Sequence, residues 1–545
     1  MKRKTLLTLL FILISTQAFA GNTAVIVRQD QKVPECGLPD HTPDPSILVR
    51  PSRPTYTGTE YFRIKTHVRV HYARSYSDST TLAYAESVAV YAESCWVRAT
   101  ALGWAVPPPD QGIGGDDLFD IYLRHSVNIG AYGVSYHDSN YTTPYPDGYS
   151  SWIEVCTDSV HHPFPRFMRL KALTAHEFHH SCQYRYSRFE QPYWWYYENT
   201  SSWMEDILFP GCGTLLWRNS QNTDYTDNPL TRSWWEINTT YSNFEYPAGL
   251  WPKFQAEYYG PDTPRLIWTL CGQHAGSHCL WDADSALKLN YNGSLANAVG
   301  HYAIWRYFTG GRDDNLHFYR AESCTTAILH ARHTTYPASG DEGSHGPYCP
   351  GGMDLIEFVT DGNQNLTLSF DGQDGYNWRA YVVATRGTVS YEHLMLLDAN
   401  AAGSIVIPAW EVDTAVLIPV SVHWTNDTTV TSRLTFTYSA GTTASTDIAE
   451  TNNIDPLFYA ISQSPVRAER IFIHYTLPAN ENGDLKITDA VGRVVRNAKL
   501  RGTGKPAIYV WDKRDRSGAE VEAGVYFYQL SAKNKTVREK IIVVK

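Results

Sequence analysis

The pattern of apolar and polar positions changes character several times along the chain. Up to residue 60 it is irregular, apart from an apolar run from Leu6 to Ile14. From Tyr61 the order tightens. Phe62-Arg-Ile-Lys-Thr-His-Val-Arg-Val alternates apolar with polar residues, the period of a half-buried strand. Leu82 to Leu102 reads as a long helix that stops at Gly103, and Pro107-Pro-Pro-Asp-Gln-Gly as a turn. Phe119-Asp-Ile-Tyr-Leu and Ser151-Trp-Ile-Glu-Val are further strand candidates. Helices are predicted near Arg166–Tyr186 and Tyr196–Leu208, the second stopped by Pro210-Gly211, with more near Trp251–Tyr259 and Leu295–Phe308.

Beyond residue 335, Gly and Pro punctuate short alternating runs such as Leu366-Thr-Leu-Ser-Phe, Arg379-Ala-Tyr-Val-Val and Ser404-Ile-Val-Ile-Pro. Residues 336–440 therefore read as an all-β sandwich. Residues 441–454 are an Ala/Thr/Ser/Gly-rich linker, and 455–545 form a last all-β unit. No solenoid-type repeat is visible.

The N-terminus adds the compartment. Met1-Lys-Arg-Lys, the Leu6–Ile14 run and Ala18-Phe-Ala20 before Gly21 make residues 1–20 a signal peptide. No later stretch has the length and apolarity of a membrane span, so an exported protein with no transmembrane segment is expected. Residues 21–60 are polar and Pro-rich and read as a propeptide or linker, with the Arg50/Arg53 region as a candidate activation cut. The 545 residues suggest three or four domains, at roughly 150 residues each. A net charge of −10 argues against a sequence-independent nucleic-acid binder. In an oxidising compartment the nine cysteines are expected to form disulfides, with one thiol left over. Cys271 and Cys279 are spaced to close a short loop.

Chemistry enters at Thr174-Ala-His176-Glu177-Phe-His179-His180. This is H-E-x-x-H inside a helical segment. Two His four residues apart share one helix face, so both imidazoles can reach one Zn2+ ion. The adjacent Glu can deprotonate a water held there. His179 points about 100° away from His180 and is expected in the outer shell or at the surface. The metzincin continuation is absent, because Ser181-Cys-Gln-Tyr follows.

Eighteen residues after His180 comes Glu198, in Glu198-Asn-Thr-Ser-Ser-Trp-Met-Glu205. The two acids are seven residues apart, on one helix face. The spacing resembles that of the aminopeptidase-N-like gluzincins, a group of zinc metallopeptidases. That resemblance implies a zincin-like α+β catalytic domain over 61–335, with His176, His180 and Glu198 as zinc ligands, Glu177 as the catalytic base and Glu205 orienting an imidazole from behind. Glu205 as the ligand is the alternative. Ser202 stands where thermolysin-like enzymes carry an Asp, so that subfamily fits less well. Tyr246-Pro-Ala-Gly249 resembles the Y-x-x-G of the same group, which implies Tyr246 as the oxyanion donor; a purely structural Tyr is the alternative. The G-x-M-E-N element that holds a free amine in those aminopeptidases is missing, which favours cleavage within chains. An edge strand, Phe119–Leu123, is expected to align the substrate by β-addition.

Pro34-Glu-Cys36-Gly-Leu-Pro-Asp40 resembles the cysteine switch of matrix metalloproteinases. That implies Cys36 as a latency residue, although Glu35 replaces the usual Arg; an ordinary disulfide partner is the alternative. Gly112-Ile-Gly-Gly-Asp116-Asp117-Leu-Phe-Asp120 is a candidate Ca2+ loop, or a solvated turn. His330 and His333 lack a nearby acidic partner and read as surface residues. The tail resembles the C-terminal sorting domains of type IX secretion and the related Ig-like modules. The motifs are Ile471-Phe-Ile-His-Tyr-Thr-Leu-Pro, Leu485-Lys-Ile-Thr-Asp-Ala-Val-Gly-Arg493, Trp511-Asp-Lys-Arg-Asp515 and Gly524-Val-Tyr-Phe-Tyr-Gln-Leu. This implies a Gram-negative source, delivery to the outer surface or medium, and the secretion machinery as a partner. The expectation is a multidomain chain: zincin-like catalytic domain, all-β sandwich, Ig-like β domain. Its function is that of a secreted zinc endopeptidase acting on proteins or peptides. The alternative is a surface-binding or adhesin protein with a structural zinc site.

Overall fold

In the computed structural model, the described residues are 36–37 and 52–543. The exceptions are 139–144, 159–165, 188–193, 217–225, 232–245, 275–278, 342–345, 425–432, 445–458, 463–470, 503–506 and isolated positions. The signal sequence, most of the propeptide and most of the 441–454 linker lie outside the described residues.

The first unit is a six-stranded sheet with helices on one face. Its strands are β1 (Cys36–Gly37), β2 (Glu60–Ile64), β3 (Val68–Ala73), β4 (Phe119–Arg124), β5 (Gly133–His137) and β6 (Ser151–Cys156), in the order β1-β5-β6-β4-β3-β2. β3, β4 and β6 run parallel; β2 and β5 are antiparallel to their inner neighbours. Helix α1 (Leu82–Ala101) begins at Thr81, whose hydroxyl accepts from the Tyr84 amide and caps the first turn. The short α2 (Ser126–Ile129) links β4 to β5. Then come α3 (Arg166–Tyr186), α4 (Trp194–Leu208), α5 (Leu250–Tyr258), α6 (Thr263–Gln273), α7 (Cys279–Tyr291) and α8 (Leu295–Tyr307).

Strand alternation sorts the two faces of the sheet. Val68, Val70, Ile121, Leu123, Ile153 and Val155 point into the core, against Val88, Ala92, Phe178 and Cys182 of α1 and α3. Arg69, His71, Asp120, Tyr122, Trp152 and Glu154 point the other way. Residues 53–56 cover that face. The Arg53 guanidinium meets Asp110 at 2.5 Å, Asp120 at 3.1 Å and Asp138 at 3.2 Å, and lies over the Trp152 ring. The Tyr56 hydroxyl rests on the carbonyl oxygens of His71 and Leu123.

This packing corrects two expectations. The folded unit begins before residue 61, and Arg53 is a fixed part of it rather than a cleavage point. The candidate Ca2+ loop also spends its carboxylates on protein partners. Asp116 pairs with Arg69, Asp117 accepts from the Gly112 amide at 2.9 Å, and Asp120 is shared by Arg53 and His71.

The second unit is a two-sheet sandwich. One sheet orders β13 (Ala402–Ile407), β10 (Gln364–Gly372), β15 (Phe436–Ala444) and β8 (Ala338–Asp341). The other orders β12 (Val389–Met395), β11 (Trp378–Arg386), β14 (Thr414–Ser421), β9 (Ile356–Val359) and β7 (Ala331–His333). Phe358, Leu366, Phe370, Trp378, Val382 and Phe436 fill its interior. The outward residues Tyr381, Val383, Val416, Ile418 and Val420 join the core of the first unit, against α8. Both faces of β11 and β14 are therefore buried, and the two units share a hydrophobic boundary.

The third unit has its own core of Ile471, Ile473, Leu485, Ile487, Trp511, Tyr528, Leu530 and Ile541. A three-stranded sheet of β16 (Tyr459–Ser462), β17 (Ile471–Thr476) and β20 (Ala507–Trp511) accompanies a four-stranded one. The latter holds β19 (Val494–Arg501), β18 (Asn482–Asp489), β21 (Gly524–Ala532) and β22 (Lys535–Val543). No described helix is long and apolar enough to cross a membrane. The chain is thus a multidomain, β-rich α/β protein.

The expected disulfides are not found among the described residues. All eight described cysteines are buried thiols. Cys349 Sγ meets the Ser421 hydroxyl at 2.6 Å, and Cys271 and Cys279 approach to 3.9 Å between sulfurs.

Candidate metal centre

Helix α3 carries His176 and His180 one turn apart, with ring centroids 4.7 Å from each other. Helix α4 runs beside it and brings Glu198 to both. Glu198 Oε2 lies 3.0 Å from His176 Nε2 and 3.7 Å from His180 Nε2. All three side chains are buried. Their ligand atoms lie within 4.8 Å of one another, and among the described residues they form the one His/Cys/Asp/Glu group that can hold a metal ion.

The rest of each imidazole is fixed from behind. His176 Nδ1 donates to Glu205 Oε1 at 2.8 Å. His180 Nδ1 lies 2.8 Å from Gln183 Oε1, which can only accept, so the ring must donate there. The Gln183 amide in turn donates to the Tyr197 carbonyl at 3.0 Å, and the Ser201 hydroxyl stands 3.1 Å from His180 Nδ1. Both Nε2 atoms are left pointing at the same place. Glu205 is thus spent on holding His176, and Glu198 is the carboxylate that faces both rings.

Two nitrogens and one carboxylate oxygen, with their outer atoms tied down, fit a divalent ion of borderline softness such as zinc. Three protein ligands leave a position open for a reacting group, as catalytic sites require. The electrostatics agree. Burial lowers the His176 pKa, but Glu198 and Glu205 outweigh it and raise it to about 10. Burial raises that of Glu198, but His180 and His176 outweigh it and hold the carboxylate well below its usual range. The cluster is built to be balanced by positive charge next to Glu198.

Glu177, beside His176, is also fully buried. Burial pushes its pKa up, while His176 and His180 oppose the rise. Its Oε2 accepts from Ser135 at 2.9 Å, and its Oε1 has no partner among the described residues. Gly133 lies against it. Tyr246 sits at the entry to the 3-10 turn Pro247–Gly249, with its ring 5.7 Å from that of His176. That turn packs on α4 so closely that a β-carbon on Gly249 would meet Leu215 at 2.7 Å and the Asn199 carbonyl oxygen at 3.1 Å. The glycine three residues after the Tyr is thus needed to seat the Tyr beside the Glu198 helix.

His179 departs from expectation. It is wholly buried, edge-on to Trp104 at 4.5 Å, and burial drives its pKa well down. α3 has neighbours on every side, so a position turned away from the two ligands faces core rather than solvent. His330 and His333, expected at the surface without acidic partners, also differ: His330 bonds Asp354, and His333 meets the Tyr438 hydroxyl at 2.9 Å.

The strand beside the site is β5, not β4. Phe119–Leu123, expected as a substrate-aligning edge, lies between β3 and β6 in the middle of the sheet. β5 carries Gly133 and Ser135, and its outer edge is taken by β1, in parallel register Cys36 to Gly133 and Gly37 to Val134. The backbone of the candidate latency residue is thus paired with the residue that abuts Glu177; the Cys36 side chain lies outside the described residues. Sequence reasoning missed Ser135, Gln183 and Gly133. Gln183, one turn after His180, had a detectable spacing; Ser135, 42 residues before Glu177, had none.

No family model and no curated protein matches the sequence. Among solved structures, PorZ, a surface component of the type IX secretion system of Porphyromonas gingivalis, is 19% identical over 20% of this chain, with a TM-score of 0.14. Dimeric latent PorU from the same organism is 16% identical over 33% of this chain, with a TM-score of 0.16. This chain spans 14% and 18% of those two chains. The BSP domain of a biofilm-associated protein is 10% identical over 46% of this chain and 55% of its own, with a TM-score of 0.14. These are local likenesses.

Proposed function

We propose that the protein is a secreted, zinc-dependent endopeptidase. The observation that carries this reading is Glu177. A buried His-His-Glu metal group needs no neighbouring carboxylate if it is only structural, yet Glu177 lies beside it with one oxygen that has no partner among the described residues. His176, His180 and Glu198 would hold the ion. When bound, zinc supplies Lewis acidity, which activates water and polarises a carbonyl. Glu177 takes a proton from the attacking water and passes it to the leaving amine. Tyr246 donates its hydroxyl to the oxygen that gains charge. Glu205 and Gln183 hold the two imidazoles in the tautomer that presents Nε2.

An extended peptide would align by adding to the β5 edge. Cys36–Gly37 lies along that edge, which supports a latent form that matures when the N-terminal segment is cut. The tail motifs support delivery by type IX secretion to the outer surface or medium of a Gram-negative cell, with the secretion machinery as the tail's partner.

The test is cleavage of casein and gelatin by the chain from Ser52 onward, loaded with zinc, beside its Glu177→Ala variant. Cleavage by the first and not the second is the expected result. Cleavage by neither, with zinc bound, would favour the surface-binding reading.

A further inference from the structure

We infer that Ser135 is the positioning residue of the catalytic base, tying one oxygen of Glu177 so that the other does the proton transfer. The inference deepens the peptidase reading and rests on it.

The observations lie on β5. The Ser135 hydroxyl is 2.9 Å from Glu177 Oε2 and 2.9 Å from the Glu177 backbone carbonyl oxygen. Both are acceptors of a fully buried residue and share the single hydroxyl proton in a three-centre bond; Ser135 is fully buried too. Ser135 is itself held in place. It pairs with Ile153 across the β5–β6 ladder, and its carbonyl accepts from the Tyr184 hydroxyl at 3.2 Å. Among the described residues Glu177 Oε1 has no such donor, and it faces the bare Cα of Gly133, two residues back on the same strand.

A carboxylate with one hydrogen-bonded oxygen and one bare oxygen is not symmetric. The bare oxygen is the more basic, because no donor already draws on its charge. The water proton therefore goes to Oε1: the water O–H bond breaks and the carboxyl O–H bond forms. The same proton then moves from Oε1 to the amine nitrogen as the C–N bond breaks. Oε2 accepts from Ser135 throughout, so the carboxyl group need not turn between taking the proton and giving it. The strand that aims the base is also the strand whose edge receives an extended chain. Peptide docking and base alignment thus share one rigid element.

The experiment compares the zinc-loaded wild type with Ser135→Ala and Ser135→Thr. For Ser135→Ala, kcat should fall about 10- to 100-fold while KM stays within about twofold. Its zinc content should match the wild type, while loss of a buried hydrogen bond lowers its thermal midpoint. Ser135→Thr, which keeps the hydroxyl, should recover most of the loss. A crystal structure of the Ser135→Ala holoenzyme should show the Glu177 carboxylate turned away from its wild-type plane. A purely structural serine would lower the thermal midpoint and leave kcat alone. Wild-type kcat in Ser135→Ala, or an unmoved carboxylate in its crystal structure, overturns the inference. If the wild type itself cuts no peptide, the peptidase reading falls, and the crystallographic comparison still decides whether Ser135 positions Glu177.

Discussion

Gly133 and Glu177 are so close that a β-carbon on Gly133 would stand 2.6 Å from Glu177 Oε1 and 2.8 Å from its Cδ. Such contacts force one partner to move. Gly133 is held by the β5–β6 ladder, so the carboxylate would yield. Gly133→Ala should therefore cut peptidase kcat by about 100-fold, the scale of an ångström-sized misplacement. Zinc binding should persist, because the three atoms nearest that β-carbon all belong to Glu177 and none to His176, His180 or Glu198. Loss of zinc in step with activity, measured by metal analysis, would show that the glycine serves the fold rather than the base.

The roles of His179, Glu198 and Glu205 separate by mutation. His179→Phe keeps a planar ring against Trp104 and removes two buried nitrogens that have no partner among the described residues. Burying an unsatisfied polar group costs about 1–3 kcal/mol, so this variant should be as stable as the wild type or more so, with full activity. Glu205→Ala leaves His176 Nδ1 unsupported and should weaken zinc binding about 10- to 100-fold without abolishing it. Glu198→Ala should abolish it under the same titration. The opposite ranking of the two acids would make Glu205 the ligand.

How much of this was legible in the sequence depended on how far each signal was local. The α3 ligands and Glu198 follow from spacing along two helices, and those helices are where the periodicity predicts them. Tyr246 and Gly249 are close in sequence and were readable as a motif. The edge strand was not. Phe119-Asp-Ile-Tyr-Leu alternates as a half-exposed strand should, yet Asp120 and Tyr122 are buried, because residues 53–56 cover the polar face. A face sealed by a distant segment looks the same, in sequence, as a face open to water. Helices α6 and α7 went unread; the first holds Pro264 and Gly272, and the second opens at Cys279, whose spacing from Cys271 reads as a short loop. His179 was misread for the same reason as β4: a helix buried on all sides leaves no polar stripe to mark outside from inside.

The covered face of the sheet makes stability depend on pH. Burial raises the Glu154 carboxyl from 4.5 to about 7, and Arg124, 3.1 Å away, only partly offsets it. Asp110 moves from 3.8 to about 7, again through burial, with Arg53 opposing. A carboxyl whose folded pKa is raised binds its proton more tightly in the folded state. Stability is then highest below the unfolded pKa and falls as pH rises through the window from about 4 to about 7. Glu154→Gln removes one such ionisation and keeps an acceptor for Arg124. Its thermal midpoint should match the wild type near pH 4.5 and exceed it at pH 8. A constant offset at both pH values would mean that Glu154 does not titrate in this window.

Arg53 fixes where maturation can occur. Its guanidinium is the cation shared by three buried carboxylates, and removing it leaves them facing one another. Breaking a buried ion pair from one side costs about 3–5 kcal/mol, and here a single change would break three. A protease that cut after Arg53 would need to pull that side chain out of the cluster first. Cutting upstream, between the β5-bound Gly37 and Ser52, frees the β5 edge and leaves the anchor in place. The N-terminus of the active secreted form, read by Edman sequencing or intact mass, should therefore fall between residues 38 and 53. Arg53→Met should lower the thermal midpoint of the matured chain while leaving its zinc content unchanged. A mature N-terminus beyond Tyr56 would show that the 53–56 cover is discarded, and that the polar face of the sheet is exposed in the working protein.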